Sequence, residues 1–148
     1  KQYIQDYFER FPKIKDYMDY QINFAKTNNY VETIFGRRCN IKGINDKNFV
    51  IRGFAERQSI NAPIQGTAAD IIKLAMIEIH QNIISNKINA KMLLQVHDDL
   101  EFEIEDKYLN ESIIQIKKIM ETTHLEYKDF TVPLIVDYGI GNNWGELH

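Results

Sequence analysis

Several features that would identify other classes of protein are scarce or missing in this sequence of 148 residues. It has a single cysteine, Cys39, which excludes an internal disulfide and a metal site made of several thiolates. No uncharged stretch approaches the roughly 20 apolar residues of a membrane-spanning helix, and the first residues do not resemble a signal peptide. The chain has no low-complexity tract and no linker long enough to divide two domains. These absences predict a cytoplasmic protein of one globular domain.

Positive charge is also scarce for a protein that binds nucleic acid. The net charge is -3 and the sequence pI is about 5.8, so the chain as a whole lacks a basic footprint. The charges are nevertheless segregated. Six basic residues and two acids lie between Gly36 and Arg57, whereas ten acids and four lysines lie between Asp98 and Asp129. One surface for an anion would explain this separation, but solvated helix faces produce similar runs, so charge alone leaves the function open.

The composition that is present, 44% apolar and 26% charged residues, is typical of a soluble globular domain with a hydrophobic core. Apolar residues at helical spacing predict a short helix to about Arg10 and a second helix from Pro12 to about Thr27. Two short extended segments are predicted next, from Tyr30 to Ile34 and from Arg38 to Ile41. The first part of the chain therefore combines helices and strands.

The middle of the chain contains the clearest helical pattern. Asp46 is predicted to cap a helix that runs to about Asn61, and Pro63 is predicted to break this helix or to start a new one. A further helix is predicted from about Asp106 to Thr123, and a last strand from Thr131 to Tyr138. The helix after Pro63 has one wide apolar face, typical of a core helix, formed by Ile64, Ala68, Ile71, Ile72, Ala75, Met76, Ile79 and Ile83.

Two predicted strands flank a pair of adjacent acids. The strands are Lys91–His97 and Leu100–Ile104, so Asp98 and Asp99 are predicted to form the two-residue connection of a β-hairpin. Asp accepts the positive φ of such turns less readily than Gly, and two adjacent carboxylates repel one another. The pair is explained either by a solvent-exposed turn or by a divalent-cation site, since Mg²⁺ binds one or two protein carboxylates. The alternating apolar positions are Met92, Leu94 and Val96, then Leu100, Phe102 and Ile104.

Five segments of the sequence resemble motifs of the family A DNA polymerases. LLQVHDDLEFE (Leu93 to Glu103) is similar to the third polymerase motif, in which a Val-His-Asp-acid tip supplies an active-site carboxylate. NAPIQGTAADIIKLAM (Asn61 to Met76), preceded by AERQSI, resembles the family's palm helix. YFERFP, YVETIFGRR and the chain end VPLIVDYGIGNNWGELH resemble further segments, in the family's order. The resemblance implies an α+β fold: the C-terminal palm and adjoining fingers portion of a polymerase domain, with an antiparallel β-hairpin and sheet packed on long helices.

The resemblance also implies a metal site. Asp98 matches the family's metal-binding aspartate, which holds two Mg²⁺ ions together with an aspartate from an upstream motif. Asp99 occupies the position of a second catalytic and metal-binding acid, where the family usually has Glu. Its shorter side chain leaves open whether Asp99 reaches the metal.

A DNA-binding set follows from the same resemblance. His97 matches a residue beside the primer terminus, and three polar residues match contacts to the primer–template near the nascent base pair: Arg57, Asn61 and Gln65. From residue type alone, His97 could be a packed strand histidine, the two amides could cap helices, and Arg57 could form a surface ion pair. The remaining arginines of the basic segment are expected to contact phosphate or acids: Arg37, Arg38 and Arg52.

The function that the resemblance implies is that of a DNA-directed DNA polymerase in DNA replication and repair. It would add deoxynucleotides from deoxynucleoside triphosphates to a primer 3′ end by two-metal phosphoryl transfer, and the full-length enzyme would be monomeric. The upstream aspartate motif and the fingers helix have no counterpart here, so this segment alone is expected to be inactive. Two alternatives are a non-catalytic nucleic-acid-binding or assembly module on the same scaffold and a metal-dependent nuclease using the same acids.

Overall fold

The computed structural model of the protein describes residues 2–126 and 130–146, which form two compact units. The first unit extends to Asp70 and the second begins at Ile71, so the boundary lies within the longest helix. Four α-helices and two small antiparallel sheets occur in the described residues, which confirms the predicted α+β class. None of these helices is both long and apolar enough to cross a membrane.

The first unit begins with two helices, α1 (Gln2–Arg10) and α2 (Pro12–Asn28). Pro12 lies in the first turn of α2, where its missing N–H would have no helical partner in any case. Asn29 ends α2 in the left-handed conformation with φ of 63°, and its amide donates to the Ala25 carbonyl. Both helices predicted from the apolar spacing are therefore confirmed.

A small hairpin follows, formed by β1 (Tyr30–Glu32) and β2 (Arg38–Asn40). β1 is shorter than the sequence predicted because residues 33–37 form the connecting turn, and β2 ends one residue earlier than predicted, at Asn40. The Thr33 amide donates to the Arg37 carbonyl at 3.0 Å, which closes this turn, and Gly36 adopts a φ of 77° inside it. The core of the first unit brings together α2, β1, the loop after β2 and the helix that follows, with Ala25, Val31, Ile41, Ile44 and Ala55 buried together.

The long helix α3 (Phe49–Ile84) continues through Pro63, so the predicted break there is wrong. Proline removes one backbone hydrogen bond, but packing of the surrounding helix offsets this local cost. The packed face consists of compact residues at intervals of four, all of them buried: Ala55, Ser59, Pro63 and Thr67. Because the helix lies against its unit along this whole face, a single missing hydrogen bond does not end it.

The helix also starts later than predicted, and Asp46 is not its cap. Asn48 immediately precedes α3, and its side-chain oxygen accepts a hydrogen bond from the Val50 amide at 2.9 Å. Asp46 instead accepts from the Asn48 amide at 2.7 Å and so stabilises the turn before the helix. A cap must lie directly before the first helical residue, which favours Asn48.

The second unit contains a hairpin and a helix packed on the end of α3. The strands are β3 (Lys91–Val96) and β4 (Asp99–Glu103), and the helix is α4 (Leu109–Thr122). The predicted helix from Asp106 is confirmed, although its first turn is a separate 3₁₀ turn, Asp106–Tyr108. The core of the second unit is formed by Ala75, Ile79, Ile88, Ile116 and Ile119.

The predicted last strand, Thr131–Tyr138, is not a β-strand in the described part of the chain. Its backbone is held by side chains of α4 instead. The Lys117 ammonium donates to the Val136 carbonyl at 2.6 Å, and the Val136 amide donates to the Glu121 carboxylate at 2.9 Å. A β-prone sequence forms a strand only where another strand pairs with it, and no described segment does so here.

Candidate active site

The tip of the β3–β4 hairpin is formed by His97 and Asp98, not by Asp98 and Asp99 as predicted. Val96 pairs with Asp99, which makes Asp99 the first residue of β4. The backbone therefore holds the two neighbouring acids in different ways. Asp98 lies in the turn, whereas Asp99 is fixed in the ladder of the hairpin.

A β-bulge at Leu93 explains why the sequence pattern failed to predict this register. Met92 pairs with Phe102 and Leu94 with Glu101, so one extra residue is inserted in β3. The insertion moves Leu94 away from the core side that Met92 occupies, and Leu94 is 38% exposed. The predicted alternation is thus wrong for β3 and confirmed for β4, where Leu100, Phe102 and Ile104 all pack against the second core.

The backbone of His97 is left-handed, with φ of 54°. The other non-glycine residues with positive φ in the described ranges are asparagines, Asn29 and Asn86, and this conformation is uncommon for any residue except glycine. Gln95 supports the turn, since its side-chain amide donates to the His97 carbonyl at 2.8 Å. Sequence reasoning missed Gln95, although its place two residues before the tip could have indicated such a contact. His97 itself is exposed, which excludes a packed strand histidine.

The carboxylates of Asp98 and Asp99 are exposed, and neither forms a hydrogen bond or ion pair with another residue that the structure describes. Farther along the strand, by contrast, Glu103 pairs with Lys91 at 3.1 Å. No group of three or more potential ligands from His, Cys, Asp and Glu is assembled among residues 2–126 and 130–146. Two free carboxylates fit Mg²⁺, which completes its shell with water, phosphate or a ligand from elsewhere.

A polar face of α3 carries the three other predicted site residues. Arg57, Asn61 and Gln65 are all exposed and lie at intervals of four, so they form a row about 12 Å long. Both amides lie inside the helix, which excludes capping. Arg57 forms no ion pair with any residue in the described ranges, which excludes the surface-pair interpretation there. The row lies roughly opposite the packed face, so it is available to a partner.

The other arginines of the basic segment are engaged with the protein. Arg37 donates to Asp70 at 2.7 Å and to the Gly66 carbonyl at 2.9 Å, and the hydrogen bond with Asp70 raises the Arg37 pKa. Arg38 donates to Glu32 at 3.0 Å, which raises the Arg38 pKa. The expected contacts with acids are thus confirmed for both. Arg52 donates to a backbone carbonyl, that of Asp46.

The structure groups the predicted site residues in two sets. Arg57, Asn61 and Gln65 belong to the first unit, whereas His97, Asp98 and Asp99 belong to the second. Each set consists of exposed side chains on one element of regular structure: a row on a helix and the tip of a hairpin. Acids without protein partners are suited to binding a cation, and a row of donors is suited to binding a polyanion.

An exposed acidic hairpin tip and an exposed polar row on a helix are the candidate site of this chain, and comparison with known proteins gives the family. The sequence model that describes DNA polymerase family A matches residues 1–146 of this chain. The chain belongs to DNA polymerase family A.

The similar proteins are much longer than this chain. DNA polymerase I of Streptococcus pneumoniae serotype 4 is 47% identical over 146 residues, which cover 99% of this chain and 16% of that protein. DNA polymerase I of Rhizobium leguminosarum is 46% identical over 148 residues, 99% of this chain and 15% of that protein. The structure of the POL domain of Pol1 from M. smegmatis in complex with DNA primer-template and dNTP is 37% identical. It has a TM-score of 0.87 and covers 95% of this chain and 24% of that one.

Proposed function

We propose that this chain is the C-terminal part of the polymerase domain of a DNA-directed DNA polymerase, comprising palm with part of the fingers. The full-length enzyme adds deoxynucleotides to a primer 3′ end as the template directs. The observation that carries the proposal is the exposed, unpaired Asp98 carboxylate at the hairpin tip of a family A chain. Relatives named DNA polymerase I, at 46–47% identity over nearly the whole chain, support it.

The hairpin acids would hold Mg²⁺. Asp98 is the principal ligand, Asp99 is a second carboxylate whose direction the ladder fixes, and an aspartate from a preceding part of the protein supplies the remaining protein oxygens. Two bound Mg²⁺ ions would activate the primer 3′-hydroxyl and stabilise the charge on the α-phosphate and the leaving pyrophosphate. Neither acid has to break an ion pair with a described residue in order to bind a cation.

The row on α3 would bind the primer–template. A guanidinium and two amides can donate to the minor-groove acceptors that every base pair presents, and such contacts detect pairing geometry more than sequence. His97, adjacent to Asp98, would lie beside the primer terminus. The neighbour of known structure holds primer-template and dNTP, which supports the same two partners for this protein. We also propose that the enzyme acts in DNA replication and repair, as a cytoplasmic monomer.

The test is extension of a labelled primer by the full-length protein with Mg²⁺ and four deoxynucleoside triphosphates. Asp98→Ala should abolish nearly all extension, because loss of one essential ligand typically costs orders of magnitude in rate. Asp106→Ala is the matched control, since Asp106 is an exposed acid of the same unit away from the tip. Extension by Asp98→Ala above a few per cent of the control would contradict the proposal. Shortening of the primer that depends on Asp98 would instead support the nuclease alternative.

A further inference from the structure

The peptide bond between His97 and Asp98 lies at the centre of the hairpin turn, and its orientation decides where Asp98 points. Two-residue hairpin turns adopt type I′, with positive φ at both central residues, or type II′, with positive φ at the first only. His97 has φ of 54° and Asp98 is not among the residues with positive φ, so the φ pattern is that of type II′. A flip of the central peptide converts one type into the other and changes φ of Asp98.

The residue types at the tip do not favour this arrangement by themselves. Type II′ prefers glycine at its first central position, and a histidine there is strained. A further interaction must therefore favour the observed orientation. The Gln95 side-chain amide supplies one, because it donates at 2.8 Å to the His97 carbonyl, which is the carbonyl of the central peptide itself.

We infer that Gln95 is a positioning residue for Asp98. Its amide holds the central peptide in one orientation, which fixes φ of Asp98 and the direction in which the carboxylate leaves the turn. The inference rests on the proposed function, because it assigns to Gln95 the geometry of the ligand that binds Mg²⁺ there. It predicts that losing the Gln95 donor weakens cation binding without weakening DNA binding.

The experiment uses the full-length polymerase with Gln95→Met, which keeps the length of the side chain and removes the donor. Gln115→Met is the matched control, since the exposed Gln115 amide donates to Glu111 at 3.2 Å within α4 of the same unit. Three quantities are compared: the Mg²⁺ concentration that gives half-maximal kcat, the affinity for Mn²⁺ measured by electron paramagnetic resonance without turnover, and the Kd for primer–template DNA.

Gln95→Met is expected to weaken Mn²⁺ binding and to raise the half-maximal Mg²⁺ concentration by up to about tenfold, the effect of one hydrogen bond. Its Kd for DNA should stay within about twofold of the control. Unchanged metal affinity together with weaker DNA binding would overturn the inference, since Gln95 would then be a DNA contact. Unchanged values in every assay would overturn it as well.

A second comparison removes the strain that Gln95 is inferred to hold in place. Glycine accepts the turn without strain, so in a His97→Gly background Gln95→Met should change Mn²⁺ affinity several-fold less than it does alone. An equal effect in both backgrounds would contradict action through the turn. This comparison still tests the inference if Gln95→Met alone lowers the melting temperature. His97→Gly and the double variant both have the relaxed turn, so they differ only in the Gln95 donor.

Failure of the inference can be distinguished from failure of the proposed function. If Asp98→Ala eliminates extension while Gln95→Met behaves like Gln115→Met, Asp98 is the ligand and Gln95 does not position it. If Asp98→Ala itself retains extension and Mn²⁺ affinity, the proposed site fails.

Discussion

At the residue scale, the two neighbouring acids of the hairpin differ in how the backbone holds them. Asp98 occupies the second turn position, where its direction depends on the central peptide, while Asp99 is paired with Val96 at the start of β4. Side chains alternate along β4, so Asp99 projects to the same side as Glu101 and Glu103, away from the core residues Leu100 and Phe102. The two carboxylates are therefore not interchangeable, and substitutions at the two positions should differ in effect.

We predict a secondary role for Asp99 in catalysis. Asp99→Glu should retain turnover within roughly tenfold, about 1.4 kcal/mol of barrier, because a longer acid keeps the charge on the same side of the strand. Asp99→Asn should reduce turnover less than Asp98→Asn. Steady-state primer extension by the three full-length variants measures this order, and the reverse order would make Asp99 the principal metal ligand.

At the scale of elements, the turn between β1 and β2 lies directly on α3, at Gly66, Thr67 and Asp70. The Ile34 amide donates to the Thr67 hydroxyl at 3.2 Å, and Arg37 bridges from this turn to Gly66 and Asp70. A Cβ placed on Gly66 would lie 2.7 Å from the Thr33 methyl carbon and 3.1 Å from the Arg37 guanidinium. The close approach of the turn to the helix thus requires glycine at this position.

We predict that Gly66→Ala destabilises the protein by about 1–3 kcal/mol, the usual cost of overpacking. The clash should outweigh the gain of about 1 kcal/mol that alanine brings to a helix. Gly53→Ala is the control on the same helix, because the nearest atom to its Cβ, from Arg57, is 3.8 Å away. Urea unfolding of the full-length variants should show a loss at Gly66 and no loss at Gly53.

The cause of this effect can be tested with Thr33→Ser. Serine keeps the hydroxyl that accepts from the Arg37 amide at 3.2 Å and removes the methyl group that clashes. The double variant should therefore recover part of the stability that Gly66→Ala loses. Additive losses in the two variants would show that the contact with Thr33 is not responsible.

At the scale of the whole molecule, the residues that we propose for the site form an incomplete set. The hairpin offers two unpaired carboxylates and the long helix offers one row of donors. No third metal ligand from His, Cys, Asp or Glu joins the hairpin acids within the described ranges. The chain spans about a sixth of the length of the DNA polymerases I that it matches. The remaining ligands and the triphosphate-binding residues are therefore expected from the rest of such a protein.

We predict that these 148 residues, assayed alone, do not extend a primer, because at least two essential parts of a cooperative site are missing. Weak affinity for duplex DNA should remain through Arg57, Asn61 and Gln65, and it should fall with salt because the Arg57 charge competes with the cations that surround the duplex. Labelled-primer extension with the full-length enzyme as control tests the first statement, and fluorescence anisotropy at several salt concentrations tests the second. Template-dependent extension that Asp98→Ala eliminates would contradict the prediction.

The sequence by itself was sufficient to predict most elements and the family. The helical spacing of apolar residues predicted α1, α2 and α4. In an amphipathic helix the apolar residues recur every three or four positions, and this pattern can be read without knowing the other segments. The motif around His97, Asp98 and Asp99 and the stretch from Asn61 to Met76 were sufficient for the resemblance to DNA polymerase family A, which the match over residues 1–146 confirms. These properties are encoded in neighbouring residues.

Only the tertiary structure decided features that depend on which segments meet. Packing along the face that includes Ser59 and Thr67 keeps α3 helical at Pro63, although the local sequence predicted a break there. Likewise, the extra residue at Leu93 sets the pairing of β3 with β4, and this pairing places His97 instead of Asp99 in the turn. A one-residue change of register exchanges the two faces of a strand, and it results from contacts between strands that no periodicity along one strand can reveal.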